Sequence, residues 1–454
     1  MLIRASQWPR LTSGVITTAA LSIYLAATPG QIFRHDSSSY LELSDRFPNL
    51  WSLTAHDDAL RGYAFPWLLR LSRDLAGIAS SNPEAGVRLI TLALVPMLLC
   101  VVVPSLLQRT SAHARITVAR ILAISLLFYL SWHNDFVQPL SDVPAMFFMS
   151  VGILALLTSR RPVVTLAAGV MLAFACNMRP AYLLGAVVAG TALWLIEHDR
   201  RQLATRTVAL VAGALIVVAP QVALNVRHFD QWSPVPVASS DLTFFQLAEG
   251  LALDRYDTYV GENPQQPPSM RFENAALQDD NIQFGSMRQY ARFVLDHPGD
   301  VAAAYLRHGI NGLDTRFAGT YVQQLEDGRL LWPILNFTFL TLAVAAVLVR
   351  WSRRSGTRWR STTTYALAVL AASCATSITG AMEVRFLLPL HLTLTAVLAL
   401  TVDRSDLPAQ PRSRALAAVG VLAVVAIVFS ITASTMSQLQ PAPLRSNGSL
   451  VEEN

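Results

Sequence analysis

A small set of ionisable residues stands where long apolar stretches end. Arg34, His35 and Asp36 follow the first stretch. His133, Asp135 and Asp142 fall between the third and fourth. Arg179 sits between the fifth and sixth, in Asn177-Met178-Arg179-Pro180, and Glu383 and Arg385 sit between the ninth and tenth. A guanidinium is a planar, bidentate donor for phosphate oxygens. A carboxylate within hydrogen-bond reach of a hydroxyl can take its proton. Charges at membrane depth are costly and by default mark function or pairing. The combination suits a lipid-borne phosphate and an acceptor hydroxyl.

The elements that must position these residues are membrane spans. The chain has 454 residues, 53% hydrophobic and only 14% charged, with a mean hydropathy of +0.40. Soluble chains carry about a quarter charged residues, which argues against a string of soluble domains. Long uninterrupted apolar blocks exclude a disordered or nucleic-acid-binding chain, and the net charge of +5 is spread over many loops. All 35 basic residues are Arg, a weak compositional hint of a bacterial source. Cys100, Cys176 and Cys374 lie inside apolar blocks. There they behave as small hydrophobes, with neither a disulfide framework nor metal spacing.

A span needs about 20 apolar residues. The blocks are 11–28, 89–108, 116–133, 143–159, 162–178, 180–196, 207–226, 330–349, 361–380, 386–402 and 415–436. The expectation is an all-α polytopic membrane protein of about eleven helices. Arg120 interrupts the third block but lies near its end, where it can snorkel. The first block, with Arg4 and Arg10 before it, reads as a retained helix rather than a signal peptide. Loops after even-numbered blocks hold Arg109 and Arg115, Arg160 and Arg161, Arg200, Arg201 and Arg206, then Arg350 to Arg360, and Arg404 to Arg414. The positive-inside rule makes that side and the N-terminus cytoplasmic. Only Glu197, Asp199, Asp403 and Asp406 among the carboxylates fall there. The chain then divides into helices one to seven (1–226), a large outer loop (227–329), helices eight to eleven (330–436) and an outer tail (437–454). The expected location is a bacterial plasma membrane.

The first outer segment, 29–88, contains amphipathic pieces at 37–47 and 58–77, expected to lie in the membrane interface. The long loop 227–329 has turn signals at Asn263-Pro264 and Pro267-Pro268 and reads as helical over 286–310. No internal repeat is present. All the short outer hairpins hold ionisable residues at one level, so a shared cavity is the economical expectation. No Walker motif and no GxGxxG after a strand is found, which fits a lipid donor rather than a nucleotide sugar.

These residues lie in stretches that resemble the GT-C glycosyltransferases, multispanning enzymes that use polyprenyl-phosphate sugars. The resemblance runs through His35-Asp36-Ser37-Ser38-Ser39-Tyr40-Leu41 and Arg61-Gly62-Tyr63-Ala64-Phe65-Pro66. It continues with Leu140-Ser141-Asp142-Val143-Pro144-Ala145, Asn177-Met178-Arg179-Pro180, Asn225 to Pro236, and Glu383-Val384-Arg385-Phe386-Leu387-Leu388-Pro389-Leu390. It covers most of the chain in order and topology, each motif being short. It implies Asp36 as catalytic base, a sugar passed from a polyprenyl phosphate to a hydroxyl with inversion, and an extracytoplasmic site. The acidic pair typical of the protein-mannosylating branch is absent, since Ser37 follows Asp36.

Each candidate also has a plainer reading. Asp36 and Asp142 are either catalytic or helix N-caps. Arg179 reads as a phosphate contact beside the N-terminus opened by Pro180. Arg385 either contacts the donor or pairs with Glu383. Arg61 is a phosphate or headgroup ligand. Asp135 has the same two readings as Asp142; His35 and His133 read as boundary hydrogen-bonders, and Tyr40, Tyr63 and Trp67 as interface anchors. Asp57-Asp58 reads as a solvated loop. Asn447-Gly448-Ser449 matches a glycosylation sequon. No cofactor or metal is indicated, although a divalent cation is compatible. The expected partners are the polyprenyl-phosphate sugar, a glycan, lipid or other hydroxyl acceptor, and the membrane. The alternatives are a transporter or flippase of a lipid-linked saccharide, and a catalytically inactive member of the same fold.

Overall fold

A computed structural model describes residues 7–28, 35–50, 52–53, 56–77, 84–110, 114–191, 193–197, 199–259, 269–274, 277, 282–322, 329, 331–353, 357–402 and 411–437. The turn signals at 263–268 and the tail from 438 onward, including the sequon, lie outside the described residues. The chain is predominantly helical and multi-spanning in character. Among the described residues, six helices are long and apolar enough to cross a membrane: Trp8–Ala27, Ala85–Thr110, Arg200–Phe229, Leu331–Val349, Val384–Thr401 and Arg412–Ser437.

Two compact units are formed, each from separate stretches of chain. The first comprises Met1–Leu242, Leu342–Thr376 and Pro389–Ala409; the second comprises Thr243–Thr341, Ser377–Leu388 and Gln410–Asn454. The first therefore continues past the expected boundary at 226. Its helix runs to Phe229, where Asp230 turns the chain in the left-handed region (φ 53°). The following strand of loop is tied back by the Ala238 N–H bonding to the Ala59 carbonyl at 2.9 Å.

In the first unit, α1 (Trp8–Ala27), α2 (Asp36–Asp45) and α3 (Ala64–Gly77) come first. Then come α4 (Ala85–Thr110), α5 (Val118–Trp132), α6 (Asp142–Thr158), α7 (Pro162–Met178), α8 (Pro180–Thr191) and α9 (Arg200–Phe229). A π turn at Leu98–Val102 interrupts the regular hydrogen-bond pattern of α4. Local chemistry sets the ends of the helices. The Thr117 side chain caps α5 by accepting from the Arg120 N–H. The Asp199 carboxylate caps α9 by accepting from two N–H groups, and Pro162 sits at the start of α7, where its missing N–H costs nothing.

Helices α7 and α9 pack closely because each offers glycine to the other. A Cβ on Gly169 would overlap the Leu210 carbonyl, and one on Gly213 would overlap the Leu166 carbonyl. Small residues let helix backbones approach where lipid provides no hydrophobic drive. Between α1, α4 and α5 the contacts are small and polar: Thr17 donates to Ser125 at 3.1 Å, and the Cys100 thiol to Thr17 at 3.4 Å. All three cysteines are free and buried.

The amphipathic stretch expected over 58–77 becomes helical only at Ala64. Before it, the Asp58 carboxylate accepts from the Leu60 and Arg61 N–H groups at 2.7 and 2.6 Å. Those bonds compete with a helical start and hold the chain in a turn.

In the second unit, α10 (Ser239–Ala252, continuing from the first) leads to β1 (Leu253–Tyr259). Next come β2 (Ser269–Glu273), α11 (Met287–Asp296), α12 (Pro298–Asn311) and β3 (Tyr321–Val322). The loop thus contains a three-stranded sheet in the order β2-β1-β3, which hydropathy did not indicate. Strands β1 and β2 are antiparallel, β1 and β3 parallel. The stretch read as helical over 286–310 is helical and forms two helices, because Pro298 opens a new helix and cannot continue the old one. Leu251, Leu277, Val301 and Ala304 form the core under α11 and α12. The remaining helices are α13 (Leu331–Arg353), α14 (Thr357–Ile378), α15 (Leu388–Thr401) and α16 (Pro411–Ser437).

Candidate functional site

Two carboxylate–guanidinium pairs meet around one tyrosine in the first unit. The chain enters α2 through His35, whose φ of 52° is left-handed for a residue with a side chain. Such backbone strain costs on the order of 1–3 kcal/mol and persists only where the surroundings impose it. Asp36 follows as the first helical residue, so His35, not Asp36, occupies the capping position. The Asp36 side chain does not serve as an N-cap. Its Oδ1 accepts from Arg61 Nη2 at 2.8 Å. Arg61 also faces Asp58, with Nη1 to Oδ2 at 3.6 Å. Asp58 thus belongs to the site rather than to a solvated loop, whereas Asp57 makes an exposed pair with Arg46 at 2.5 Å. Burial alone would lower the Arg61 guanidinium, but the Asp36 carboxylate, with Tyr40 and Asp58, acts the other way and the net direction is up.

The second pair joins Asp142 and Arg179. Asp142 is not an N-cap either: Ser141 takes that position, and Asp142 is the first residue of α6. Arg179 terminates α7, and its own N–H donates to the Ala175 carbonyl at 2.9 Å. The guanidinium, rather than that N–H, is the part available for the pair. Both side chains are largely enclosed, at 12% and 4% exposure for Arg179 and Asp142, against 21% and 33% for Arg61 and Asp36.

Tyr40 connects the two. The Arg61 guanidinium lies over its ring at 5.4 Å, and its hydroxyl is 3.3 Å from Ser141 Oγ, one residue before Asp142. Burial pushes the phenol up, and the nearby Asp36 carboxylate adds to this; Arg61 and Arg179 pull the other way. The residue expected as an interface anchor is therefore a central member of the cluster. Asp135, in the turn His133–Val137, lines a recess of about 20 Å³ with Thr91, Gln138 and Asp142, room for about one water. His133 opens that turn and lies against Tyr129 and Tyr24. Tyr63 is fully enclosed and Trp67 donates to the Leu50 carbonyl at 2.9 Å, so both are packing residues here.

Glu383 and Arg385 belong to the second unit. Arg385 Nε donates to Glu383 Oε2 at 2.6 Å, the pairing alternative for that residue. Glu383 Oε1 accepts from Thr258 on β1 at 3.2 Å. Behind it lies a buried network that the sequence reading missed. Arg255 bonds Asp257 at 2.6 and 3.0 Å and faces Asp314 at 3.8 Å, while Arg316 Nε bonds Asp314 at 3.0 Å. Burial disfavours the Arg255 charge, but Asp257 and Asp314 together raise it above the ordinary value. The available signal was the alternation Asp254-Arg255-Tyr256-Asp257, which places Arg255 and Asp257 on one face of a strand.

Among the described residues no group of three or more His, Cys, Asp or Glu side chains could hold a metal ion. Comparison of the chain with family models, curated proteins and solved structures returned no match.

Proposed function

We propose that the chain is a membrane glycosyltransferase that passes a sugar from a polyprenyl-phosphate donor to a hydroxyl acceptor. The observation that carries it is the grouping of Asp36, Arg61, Asp142 and Arg179 around Tyr40. These residues come from separate stretches of chain, and Asp36, Asp142 and Arg179 stand near the edges of apolar blocks. Asp36 takes the proton of the acceptor hydroxyl, whose oxygen attacks the anomeric carbon. The bond from that carbon to the phosphate oxygen breaks, and polyprenyl phosphate leaves with the electron pair. One displacement inverts the anomeric centre. Arg179 and Arg61 hold the phosphate and stabilise its growing charge. Arg385, which its motif implied in the same role, is paired with Glu383 in the second unit and takes no part in this step.

A cavity of about 180 Å³ in the first unit supports a lipid donor. Its walls are almost wholly apolar, including Leu106, Met149, Ile153, Leu370 and Ala396. Tyr182 also lines it, and the Tyr182 N–H bonds the Arg179 carbonyl at 3.0 Å. A lipid chain in this cavity has its phosphate end beside Arg179. We read the eleven apolar blocks as eleven crossings, with the N-terminus cytoplasmic, and the site and C-terminus on the extracytoplasmic side of a bacterial plasma membrane.

The test is purified protein supplied with radiolabelled polyprenyl-phosphate mannose, arabinose or glucose and a mixed envelope-lipid and glycan acceptor pool. Consumption of one label, lost in Asp36→Asn, is the expected result. Near-normal turnover in Asp36→Asn overturns the assignment of the base. A chain that moves labelled lipid across a vesicle bilayer without consuming it is a transporter instead.

A further inference from the structure

The arm that bears Arg61 and the turn that bears Arg179 are joined by a contact with no room for a side chain. A Cβ on Gly62 would overlap both the backbone carbonyl and the side-chain amide of Asn177. No described glycine has positive φ, so it is space and not backbone freedom that demands glycine here. Asn177 lies two residues before Arg179, and Gly62 is next to Arg61.

A ladder of buried amides locks this contact. Asn177 Oδ1 accepts from the Ala64 N–H at 2.8 Å, and its Nδ2 donates to Gln221 Oε1 at 2.8 Å. The same Gln221 oxygen accepts from the Tyr63 N–H at 3.4 Å. Gln221 Nε2 donates to Asn225 Oδ1 at 3.0 Å. Asn225 Nδ2 closes the ladder on the Ser233 and Val235 carbonyls at 2.8 and 2.7 Å. Gln221 and Asn225 have no exposed surface and Asn177 retains 7%. Unpaired amides at this depth would be costly, so a fully connected set holds one arrangement firmly. The Tyr63 hydroxyl adds a bond to the Val217 carbonyl at 3.0 Å, one turn along α9 from Gln221. The arm 61–64 is therefore clamped to the end of α7 and to α9 together.

We infer that Gly62, Asn177 and Gln221 are positioning residues that set the separation between the Asp36–Arg61 pair and the Asp142–Arg179 pair. The inference rests on the transfer reaction proposed above, in which Asp36 is the base and Arg61 and Arg179, one from each pair, hold the phosphate. None of the three residues carries charge, and none need touch the donor. Their effect is to keep base and phosphate clamp at one spacing.

The test uses the full chain in detergent, with two readouts: transfer kinetics, and the rate at which phenylglyoxal modifies Arg61, followed by mass spectrometry. Gly14 in α1 has nothing within 4 Å of an added Cβ, so Gly14→Ala is the control. Gly62→Ala and Gln221→Met are expected to lower kcat about 10²-fold, the usual cost of a misplacement near 1 Å. KM for the donor changes far less, and Arg61 is modified faster as its hold on Asp36 loosens. Gly14→Ala leaves both readouts at the wild-type level. If Gly62→Ala fails to fold, Gln221→Met, which keeps the volume of the side chain, decides. Wild-type kcat in the folded variants overturns the inference and leaves the transferase assignment standing. A fall in kcat with an unchanged Arg61 rate also overturns it. If the wild type transfers no sugar, the transferase assignment fails, and the Arg61 rate alone decides whether the clamp exists.

Discussion

Two clusters of opposed charges, one in each unit, differ in how closed they are. Around Tyr40, the Asp36 side chain keeps 33% of its exposure and Arg61 21%. In the second unit, Arg255, Asp257 and Asp314 keep 2% or less. Three carboxylates there, Asp257, Asp314 and Glu383, are matched by Arg255, Arg316 and Arg385, and backbone carbonyls of Asn311 and Asp314 take up further Arg255 donors. A closed, balanced network has no group to offer a ligand; its members answer one another. A partly open pair can exchange partners with an incoming anion or hydroxyl. The contrast separates charge that shapes the fold from charge available for chemistry, which residue type alone does not do.

The comparison breaks first at Asp36. Asp36→Asn should abolish transfer, a loss of about 10²–10⁴-fold or more, while the midpoint of thermal unfolding stays close to wild type. A large drop in stability instead would place Asp36 with the closed cluster. Arg255→Met tests the opposite side. It strands Asp257 and leaves Asp314 with Arg316 alone, and removal of one partner from a buried pair costs about 3–5 kcal/mol. Denaturant titration should show that loss; an unchanged midpoint would mean that the network contributes nothing to folding.

Asp254 sharpens the comparison through pH. Burial pushes its carboxylate above the ordinary 3.8, against the pull of Arg307 and His308. Its Oδ1 has no hydrogen-bond partner among the described residues. A raised carboxylate binds its proton more tightly folded than unfolded. Stability from this group is therefore lost as pH rises from about 3.8 through the folded-state value. Asp254→Asn should be more stable than wild type at neutral pH, with the gap closing as the solution is acidified to 3.8 and below. A gap that does not move with pH would show that ionisation is not its source. The smallest effect belongs to the exposed pair Arg46–Asp57, about half exposed on each side. Its double-mutant coupling, measured from unfolding midpoints, should stay within about 1 kcal/mol and shrink with salt.

Much of this was legible before any coordinates. Apolar runs of span length must be helical, since a backbone in lipid has to satisfy its own hydrogen bonds; the same runs therefore show where charges stand out as costly. That logic found Asp36, Asp142, Arg179, Glu383 and Arg385. Its alternative reading of Asp36 and Asp142 as helix caps does not hold, because His35 and Ser141 occupy the capping positions. It undervalued Tyr40, whose partners Arg61 and Ser141 are distant in sequence, and Asp58, which joins the cluster through Arg61. It did not see the sheet in the second unit. Strands of five to seven residues with alternating charge give no apolar run to detect, and their stability comes from neighbours distant in sequence.

What the sequence by itself determined is the class of the protein and the short list of residues that must be explained. Burial of apolar blocks and the cost of charge near them depend only on residue type and run length. What the tertiary structure decided is which charges answer which. Asp36 meets Arg61 across 25 positions and Asp142 meets Arg179 across a hairpin of two helices. Gly62 is required because Asn177 happens to lie against it. Pairing and clearance are properties of three-dimensional packing, fixed by side chains from distant stretches meeting at distances of 3 to 4 Å, and no local pattern encodes them.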